Sequence, residues 1–413
     1  MSPADPAAKT AAARRWLSIV GIGEDGVDGL APIARDLVTS ADIVFGGKRH
    51  LALAGSLIRS AIKPWPSPFA EAVETIIACR HLQVCVLASG DPFLYGVGSV
   101  LARAVDPQEM LVVPAPSAFS LAAARLRWPL PETALVSLHG RSLDYVRPHL
   151  HPDARVLALT SDAEGPAALA RLLVEIGFAS SRLTVLEALG GPRERVRATT
   201  AKSFDLAVSA LNVVAIEVVA DPNARIIART SGLPDTLFEH DGQITKREIR
   251  AITLSSLSPR RGELLWDIGA GAGSVAIEWM LADASGHAIA IEARSDRAAR
   301  IRRNAAAFGV PDLQVIHGEA PAALKTLPTP SAIFVGGGVS DEGALDAAIE
   351  ALRPGGRLVV NAVTLASEAL LIARHARLGG ELIRIALSRA DAVGGKTAWR
   401  PALPVNQWVW IRP

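Results

Sequence analysis

The chain of 413 residues is poor in cysteine, with only Cys79 and Cys85. Two thiols make no disulfide framework, and their spacing makes no zinc site. Both lie in apolar stretches and read as buried free thiols. Aromatics are also scarce, at 5%, so any core is built mainly from Ala, Val, Leu and Ile. An excess of one charge is missing as well. The 43 Lys and Arg against 41 Asp and Glu leave +2, which excludes polyanion binding by bulk charge; without an aromatic stacking motif, no nucleic-acid partner is expected. No uncharged apolar run reaches the ~20 residues that span a bilayer, so no membrane partner is expected either. The start is Ala-rich and polar. The first apolar run, Leu17–Ile22, follows Arg14 and Arg15 and is too short for a signal-peptide core. The chain reads as cytoplasmic.

What is present points to a large folded chain. Half the residues are hydrophobic, which rules out disorder, and at roughly 100–200 residues per domain the length predicts two or three domains. Apolar runs alternate with helical stretches: Leu17–Ile22, Ile43–Phe45, Val84–Ala88, Leu111–Val113, Leu135–Leu138, Val156–Leu159, Leu183–Leu186 and Val213–Val219 predict strands. Ala70–Cys79, Ser117–Leu126 and Pro166–Ile176 predict helices between them. This alternation is the α/β signature. The composition breaks after Val219, and Asp221–Asp235 reads as a linker. A second series follows at Leu264–Ile268, Ala288–Ile291, Gln314–Ile316, Ala332–Val335, Arg357–Val360, Leu382–Ala386 and Gln407–Ile411. The boundary is placed near residue 232, giving domains 1–231 and 232–413.

The clearest chemical signal is in the second half. Leu264–Ile268 runs into Gly269-Ala270-Gly271-Ala272-Gly273, and a helix from Ser274 to Leu281 follows. Glycines permit the tight turn and let a ligand approach the backbone. The next strand ends in Glu292, whose carboxylate can accept both hydrogen bonds of a ribose diol. The dinucleotide pattern needs a glycine at Ser274, whereas Asp-x-Gly-x-Gly-x-Gly is the motif of class I methyltransferases. Glu319 and Ala320 follow the third strand, where an acid can reach an adenine amino group. Gly336-Gly337-Gly338 ends the fourth strand, so side chains are absent where a substrate would meet a methyl donor. Gly394-Gly395-Lys396-Thr397 is a decoy for a phosphate loop: the required first glycine is Ala390, and Ala398-Trp399-Arg400-Pro401 opens a helix poorly. Arg294, Arg297, Arg300, Arg302 and Arg303 predict a basic helix with a solvated face or subunit contact.

In the first half, Gly21-Ile22-Gly23-Glu24-Asp25-Gly26 fits G-x-G-x-x-G, but the strand Ile43–Phe45 ends in Gly46-Gly47-Lys48 rather than in an acid. More telling is Ser89-Gly90-Asp91-Pro92-Phe93-Leu94-Tyr95-Gly96, at the end of a strand where open α/β sheets bind ligands. A third segment, Val113-Pro114-Ala115-Pro116-Ser117-Ala118, enters a helix with Ser117 as N-cap.

In this order and spacing, these three segments resemble the tetrapyrrole (class III) methyltransferases, which have two α/β lobes with S-adenosylmethionine folded between them. Gly46-Gly47-Lys48-Arg49-His50-Leu51 and Ser137-Leu138-His139-Gly140-Arg141 resemble the branch that methylates cobalt-precorrin or precorrin at carbon 5. The second half, with Asp241-Gly242-Gln243-Ile244-Thr245-Lys246 before its glycine loop, resembles the Rossmann-like class I partner that methylates carbon 15 and decarboxylates. Residues 16–413 together are similar to the fused, decarboxylating family acting on precorrin-6Y in cobalamin biosynthesis. Glu24 departs from the pattern, since that loop often carries proline. The resemblance implies two donor sites: one lined by Gly90, Asp91, Pro92, Tyr95, Ser117 and Ala118, the other by Thr245, Gly269, Gly271, Gly273, Glu292, Glu319 and Ala320.

Transfer from a sulfonium expels a neutral thioether, so positioning and desolvation suffice, in keeping with a chain without a Ser-His-Asp or paired-carboxylate signature. Loss of carbon dioxide needs an electron sink, which a conjugated macrocycle supplies; no metal is expected. A tetrapyrrole substrate carries many carboxylates, and Lys48, Arg49, His50, Arg141, Lys246 and Arg247 are the candidate grips. A homo-oligomer is expected. The competing readings are an NAD-dependent oxidoreductase and a non-enzymatic nucleotide sensor.

Overall fold

A computed structural model describes residues 14–66, 71–338 and 343–413. The Ala-rich start before Arg14 and the predicted helix start at Ala70 lie outside the described residues. The chain divides into two compact units: Met1–Arg141 with Pro152–Ala224, and Ser142–His151 with Arg225–Pro413. Among the described residues the strands form four sheets.

The first unit has two lobes. In the first lobe the order is β1 (Leu17–Ile22), α1 (Pro32–Ser40), β2 (Ile43–Gly46), α2 (Lys48–Ala54), β3 (Ala61–Pro64), α3 (Ala72–Ile77), β4 (Val84–Ser89), α4 (Val97–Leu101), β5 (Met110–Val113) and α5 (Ala118–Leu126). The strands pair in parallel as β3-β2-β4-β1-β5. A parallel strand is buried on both faces and reads as a continuous apolar run, which is why β1 and β4 stand out in the sequence. Ile19, Val84 and Val86 fill one face of this sheet and Val20, Cys85 and Leu87 the other. α5 starts at Ser117, whose hydroxyl accepts the Ser120 N–H at 3.0 Å, and ends on Arg127 at φ +57.

The second lobe holds β6 (Thr133–Ser137), β7 (Arg155–Leu159), α6 (Gly165–Glu175), β8 (Arg182–Glu187), β9 (Arg195–Thr200) and β10 (Asn212–Glu217). The order is β6-β7-β10-β8-β9, with only β6 and β7 parallel. Its core includes Phe119 from α5 with Leu157, Leu186 and Val213.

The second unit comprises α7 (Arg247–Leu257), β11 (Leu264–Ile268), α8 (Ser274–Ala282), β12 (His287–Glu292), α9 (Ser295–Ala307), β13 (Gln314–His317), β14 (Ala332–Val335), α10 (Ala344–Ala351), β15 (Arg357–Ala362), α11 (Leu365–Leu378), β16 (Glu381–Ile385), β17 (Ser388–Val393), β18 (Lys396–Pro401) and β19 (Val405–Ile411). Its seven-stranded sheet runs β13-β12-β11-β14-β15-β19-β16, parallel up to β15 and antiparallel through β19. Cores on the two faces centre on Trp279 and Phe308, and on Trp266 and Trp408. The decoy Gly394-Gly395 is the turn of a separate hairpin, β17–β18, so Lys396 opens a strand and no phosphate loop forms.

Three expectations need correction. Asp221–Asp235 is not a loose linker throughout. The N–H groups of Gly232 and Leu233 donate to Glu278 at 2.6 and 2.9 Å, and fully buried Arg250 joins Glu278 and Asp235. Buried charges persist where they are paired and hydrogen-bonded, so Arg225–Asp235 is built into the second unit, while Asp221–Ala224 stays with the first. Cys85 is buried, and desolvation pushes its thiol up to about 12, but Cys79 is only half-buried. The basic face predicted around α9 is solvated only in part: Arg294, Arg302 and Arg303 are exposed, Arg297 and Arg300 are half-buried, and all but Arg302 pair with acids. Arg297 and Arg303 hold Asp241 and Glu239 at 2.9 and 2.8 Å, Arg300 lies 3.2 Å from Asp241, and Arg294 pairs with Asp296.

Candidate functional site

In the first unit, parallel pairing brings the carboxyl ends of β1, β2, β4 and β5 to one edge. The loops leaving them touch there. Gly90 N–H donates to Ile22 O at 3.2 Å, and Ala115 N–H donates to Gly90 O at 3.1 Å. Gly90 has φ +52, and a Cβ on it would lie 2.9 Å from Pro116 O and 3.0 Å from Ser117 Cα. Only glycine takes that backbone without strain, which accounts for the motif. Asp91 closes the next turn, its carboxylate accepting the Phe93 N–H at 2.8 Å. Pro92 is buried, and its carbonyl accepts the Gly98 N–H at 2.9 Å. Tyr95 sits at φ +56, half exposed, with its ring edge-on to Phe119 at 6.4 Å. The Ser117 hydroxyl is engaged as a cap, so it presents backbone to a ligand. Ala118 is the first residue of α5, whose leading N–H groups have no intrahelical acceptor.

The predicted grips divide. Lys48 and Arg141 are exposed. Arg49 is committed: it pairs with Glu24 and donates to Ser89 Oγ at 2.8 Å. His50 is held uncharged, pushed down to about 4 by burial and then by the Arg49 charge, against a smaller pull from Glu24. At neutral pH it is no cationic grip. Glu24, the departure from the family pattern, has a nearly buried side chain, with Arg193 of the second lobe 3.6 Å from its other oxygen. Beside it a cavity of about 550 Å³ is lined by Glu187, Arg193, Arg195 and Ser209 among others. Arg195 and Arg197 clamp Glu187, which holds its carboxyl near 2 in spite of burial. Arg193 is the most exposed cation of this group, and the sequence reading missed it.

In the second unit the glycine loop leaves β11 between the ends of β12 and β14. Gly269, Gly271 and Gly273 have φ of +69, +59 and +75. A Cβ on Gly269 would lie 2.7 Å from Gly337 O, and one on Gly271 would lie 3.3 Å from Gln243 O. The loop therefore approaches both the Gly336-Gly337-Gly338 turn and the segment containing Thr245. Glu292 is 5% exposed. Its Oε2 accepts the Gly271 N–H at 2.8 Å and its Oε1 the Arg294 N–H at 3.0 Å. The carboxylate holds the loop as well as ending the strand. Glu319 is exposed and Ala320 half-buried beyond β13; Lys246 and Arg247 are exposed at the start of α7.

Asp267 was not singled out from the sequence, though it is the acid of the glycine motif. It is 1% exposed. Its Oδ2 accepts the Ala276 N–H at 3.0 Å, and its Oδ1 has no partner among the described residues. Burial pushes its carboxyl up to about 7, against the Ala276 bond, with the Glu292 charge adding to the rise. A glycine cradle without room for side chains, an unpartnered buried oxygen below it and a carboxylate beside it fit a nucleoside with a ribose diol.

Two families match the chain: tetrapyrrole (corrin/porphyrin) methylases over residues 17–205, and a precorrin methyltransferase domain over 236–412. A precorrin-6Y C(5,15)-methyltransferase [decarboxylating] from Sinorhizobium sp is 60% identical over 398 residues, 96% of each chain. One from Mycobacterium tuberculosis is 42% identical, over 94% of this chain and 98% of the other. Among solved structures, the C-terminal domain of precorrin-6Y C5,15-methyltransferase from Rhodobacter capsulatus is 49% identical, over 45% of this chain and 100% of that one, with a TM-score of 0.43. None of these is an oxidoreductase.

Proposed function

Because the chain belongs to the precorrin-6Y C(5,15)-methyltransferase (decarboxylating) family, we propose that it carries two methyl-donor sites, one in each unit. The protein is a methyltransferase that uses S-adenosylmethionine to methylate a precorrin, and decarboxylates it, in cobalamin biosynthesis. The reading of two sites rests on one observation. Each unit has its own parallel strands ending in its own glycine turn, with a positive φ at Gly90 in one and at Gly269, Gly271 and Gly273 in the other.

We assign carbon-5 methylation to residues 1–231 and carbon-15 methylation with decarboxylation to 232–413, on the motifs of each half. Bound S-adenosylmethionine supplies an electrophilic sulfonium methyl. The chain's part is to hold and orient. In the first unit Gly90, Asp91, Pro92, Tyr95, Ser117 and Ala118 form the cradle. In the second, Gly269, Gly271 and Gly273 admit the backbone approach, Glu292 takes the ribose diol with its remaining lone pairs, and Thr245, Glu319 and Ala320 complete the wall. Lys48, Arg141 and Arg193, and Lys246 and Arg247, grip substrate carboxylates.

Self-association is supported by the hairpin β17–β18, exposed at every residue and carrying Trp399 at 75% exposure. The free cysteines suit a reducing cytoplasm. Calorimetric titration of the full chain tests the main reading. Two equivalents of S-adenosylmethionine should bind and NADH should not; a single equivalent would refute two sites.

A further inference from the structure

Ser89 is the last residue of β4 and shares a pleat face with Cys85 and Leu87. α2 packs that face through Leu51 and Ala54, so its first turn overhangs the strand end and delivers Arg49 and His50 to Ser89. Ser89 Oγ is 2.7 Å from His50 Nε2 and 2.8 Å from Arg49 Nη2. Arg49 Nη2 is also 2.8 Å from His50 Nε2. A guanidinium has donors only. Nε2 is therefore an acceptor, and the ring proton is assigned to Nδ1, which has no hydrogen-bond partner among the described residues. Ser89 Oγ accepts from Arg49, which leaves its own proton to point at Nε2. Glu24 pairs with Arg49 and fixes it. Ser89 is exposed while the His50 side chain is half-buried, and Gly90 of the donor loop is the next residue.

The geometry points to Ser89 and His50 as the proton-accepting pair for carbon methylation in the first unit, an inference that rests on reading the Gly90 loop as a donor site. Positioning suffices for the methyl transfer itself, but methylation of an unsaturated ring carbon that bears hydrogen ends with loss of that proton, which such a pair can accept. The carbon's π electrons form the new C–CH₃ bond as the C–S pair departs on sulfur. The macrocycle is then cationic, and that carbon carries both a hydrogen and the methyl. Conjugation returns when the C–H pair moves back into the ring and the proton leaves. Ser89 Oγ takes that proton while passing its own to His50 Nε2, and His50 releases it to water. Ser89 is the catalytic residue because it touches the reacting carbon's hydrogen. His50, acting through Ser89, is a positioning residue and proton store, and Arg49 sets its tautomer.

The low basicity of His50 suits this use. It stays neutral and ready to accept at neutral pH, and it gives the proton up after each turnover. A weak base suffices, since the proton comes from a cationic carbon acid.

The full chain is assayed with S-adenosylmethionine and its precorrin substrate. Mass spectrometry counts methyl groups, and released carbon dioxide reports the second unit. Ser89→Ala and His50→Gln should each lower kcat for carbon-5 methylation by ~10²-fold, leave both KM values unchanged and leave carbon dioxide release intact. Ser89→Thr keeps the hydroxyl and should retain most of the rate. His50→Ala should regain rate with free imidazole, which a purely structural role would not permit. A full carbon-5 rate in Ser89→Ala or His50→Gln overturns the inference. So does a loss seen only in KM, or an absence of rescue in both Ser89→Thr and imidazole-treated His50→Ala. If the unmodified chain binds one donor and never methylates carbon 5, the donor-site reading has failed, and that result needs no variant to see it.

Discussion

Replacing Glu292 by alanine separates the two proposed sites. In the folded chain its carboxylate accepts two backbone N–H groups, Gly271 at 2.8 Å and Arg294 at 3.0 Å, and it is 5% exposed. Hydrogen bonds to a charged group contribute about 1.5–3 kcal/mol each. Both donors sit at the rim of the sheet, where water recovers part of that loss. The ribose diol also loses its acceptor. A fall of about 2–3 kcal/mol in donor affinity follows, which is a ~30–150-fold rise in Kd. Glu292→Gln is the sharper variant: its shape is kept, but one oxygen becomes an NH₂ that faces an N–H. The assay is calorimetry with S-adenosylmethionine, paired with product masses. One of two binding events should weaken, and carbon dioxide release with its methyl should slow while carbon-5 methylation continues. Equal loss of both reactions in folded protein would refute the assignment of Glu292 to one site.

Other outcomes follow from named contacts. Gly90→Arg places a Cβ 2.9 Å from Pro116 O at φ +52, costing ~1–2 kcal/mol for the backbone and ~1–3 for overpacking; its product should weigh one methyl less while carbon dioxide is still released, and full double methylation would remove this loop from the donor site. Asp267 is raised in the folded chain to about 7 from 3.8, so between those values the folded state binds a proton that the unfolded state lacks, and stability falls as pH rises through that window. Asp267→Asn keeps an acceptor for the Ala276 N–H and should flatten that fall, with urea midpoints closer at pH 5 and pH 8 than in the unmodified chain; an unchanged difference would contradict the raised carboxyl. Cutting between Ala224 and Arg225 should leave two folded pieces, each with its own sheet and core, the second losing some stability with Ser142–His151; unfolding of both pieces would speak against separable units.

The parts legible in the sequence were those whose cause is local. β1, β4 and β11 are apolar runs because parallel strands are buried on both faces. Gly90, Gly269, Gly271 and Gly273 announce themselves because each occupies a positive φ that other residues resist. Ser117 could be named as a cap because its partner, Ser120, is three residues away. Strands with exposed faces were harder to read: β3 is exposed throughout, β9 at half its residues, and β17 and β18 carry charge instead of apolar alternation.

Long-range polar pairing left no local trace, and this is where the sequence reading of the sites needed correction. Nothing near Arg297 or Arg303 tells that Asp241 and Glu239, more than fifty positions earlier, neutralise them. Nothing near Glu24 reveals that Arg49 and Arg193 reach it from two lobes. A close pair such as Arg49 with Glu24 turns a cation that the sequence offers to a ligand into one already used, whereas Arg193, 3.6 Å from Glu24 and 83% exposed, keeps most of its surface in solvent. The same logic sorts the remaining candidates. Arg49 cannot both hold Glu24 and grip a substrate carboxylate without leaving a nearly buried acid unpaired, which costs several kcal/mol. Its charge therefore acts on the protein's own Ser89 and His50. The grip on substrate falls to side chains on the surface, Lys48 and Arg193 among them, whose desolvation at a carboxylate costs far less than breaking a buried pair.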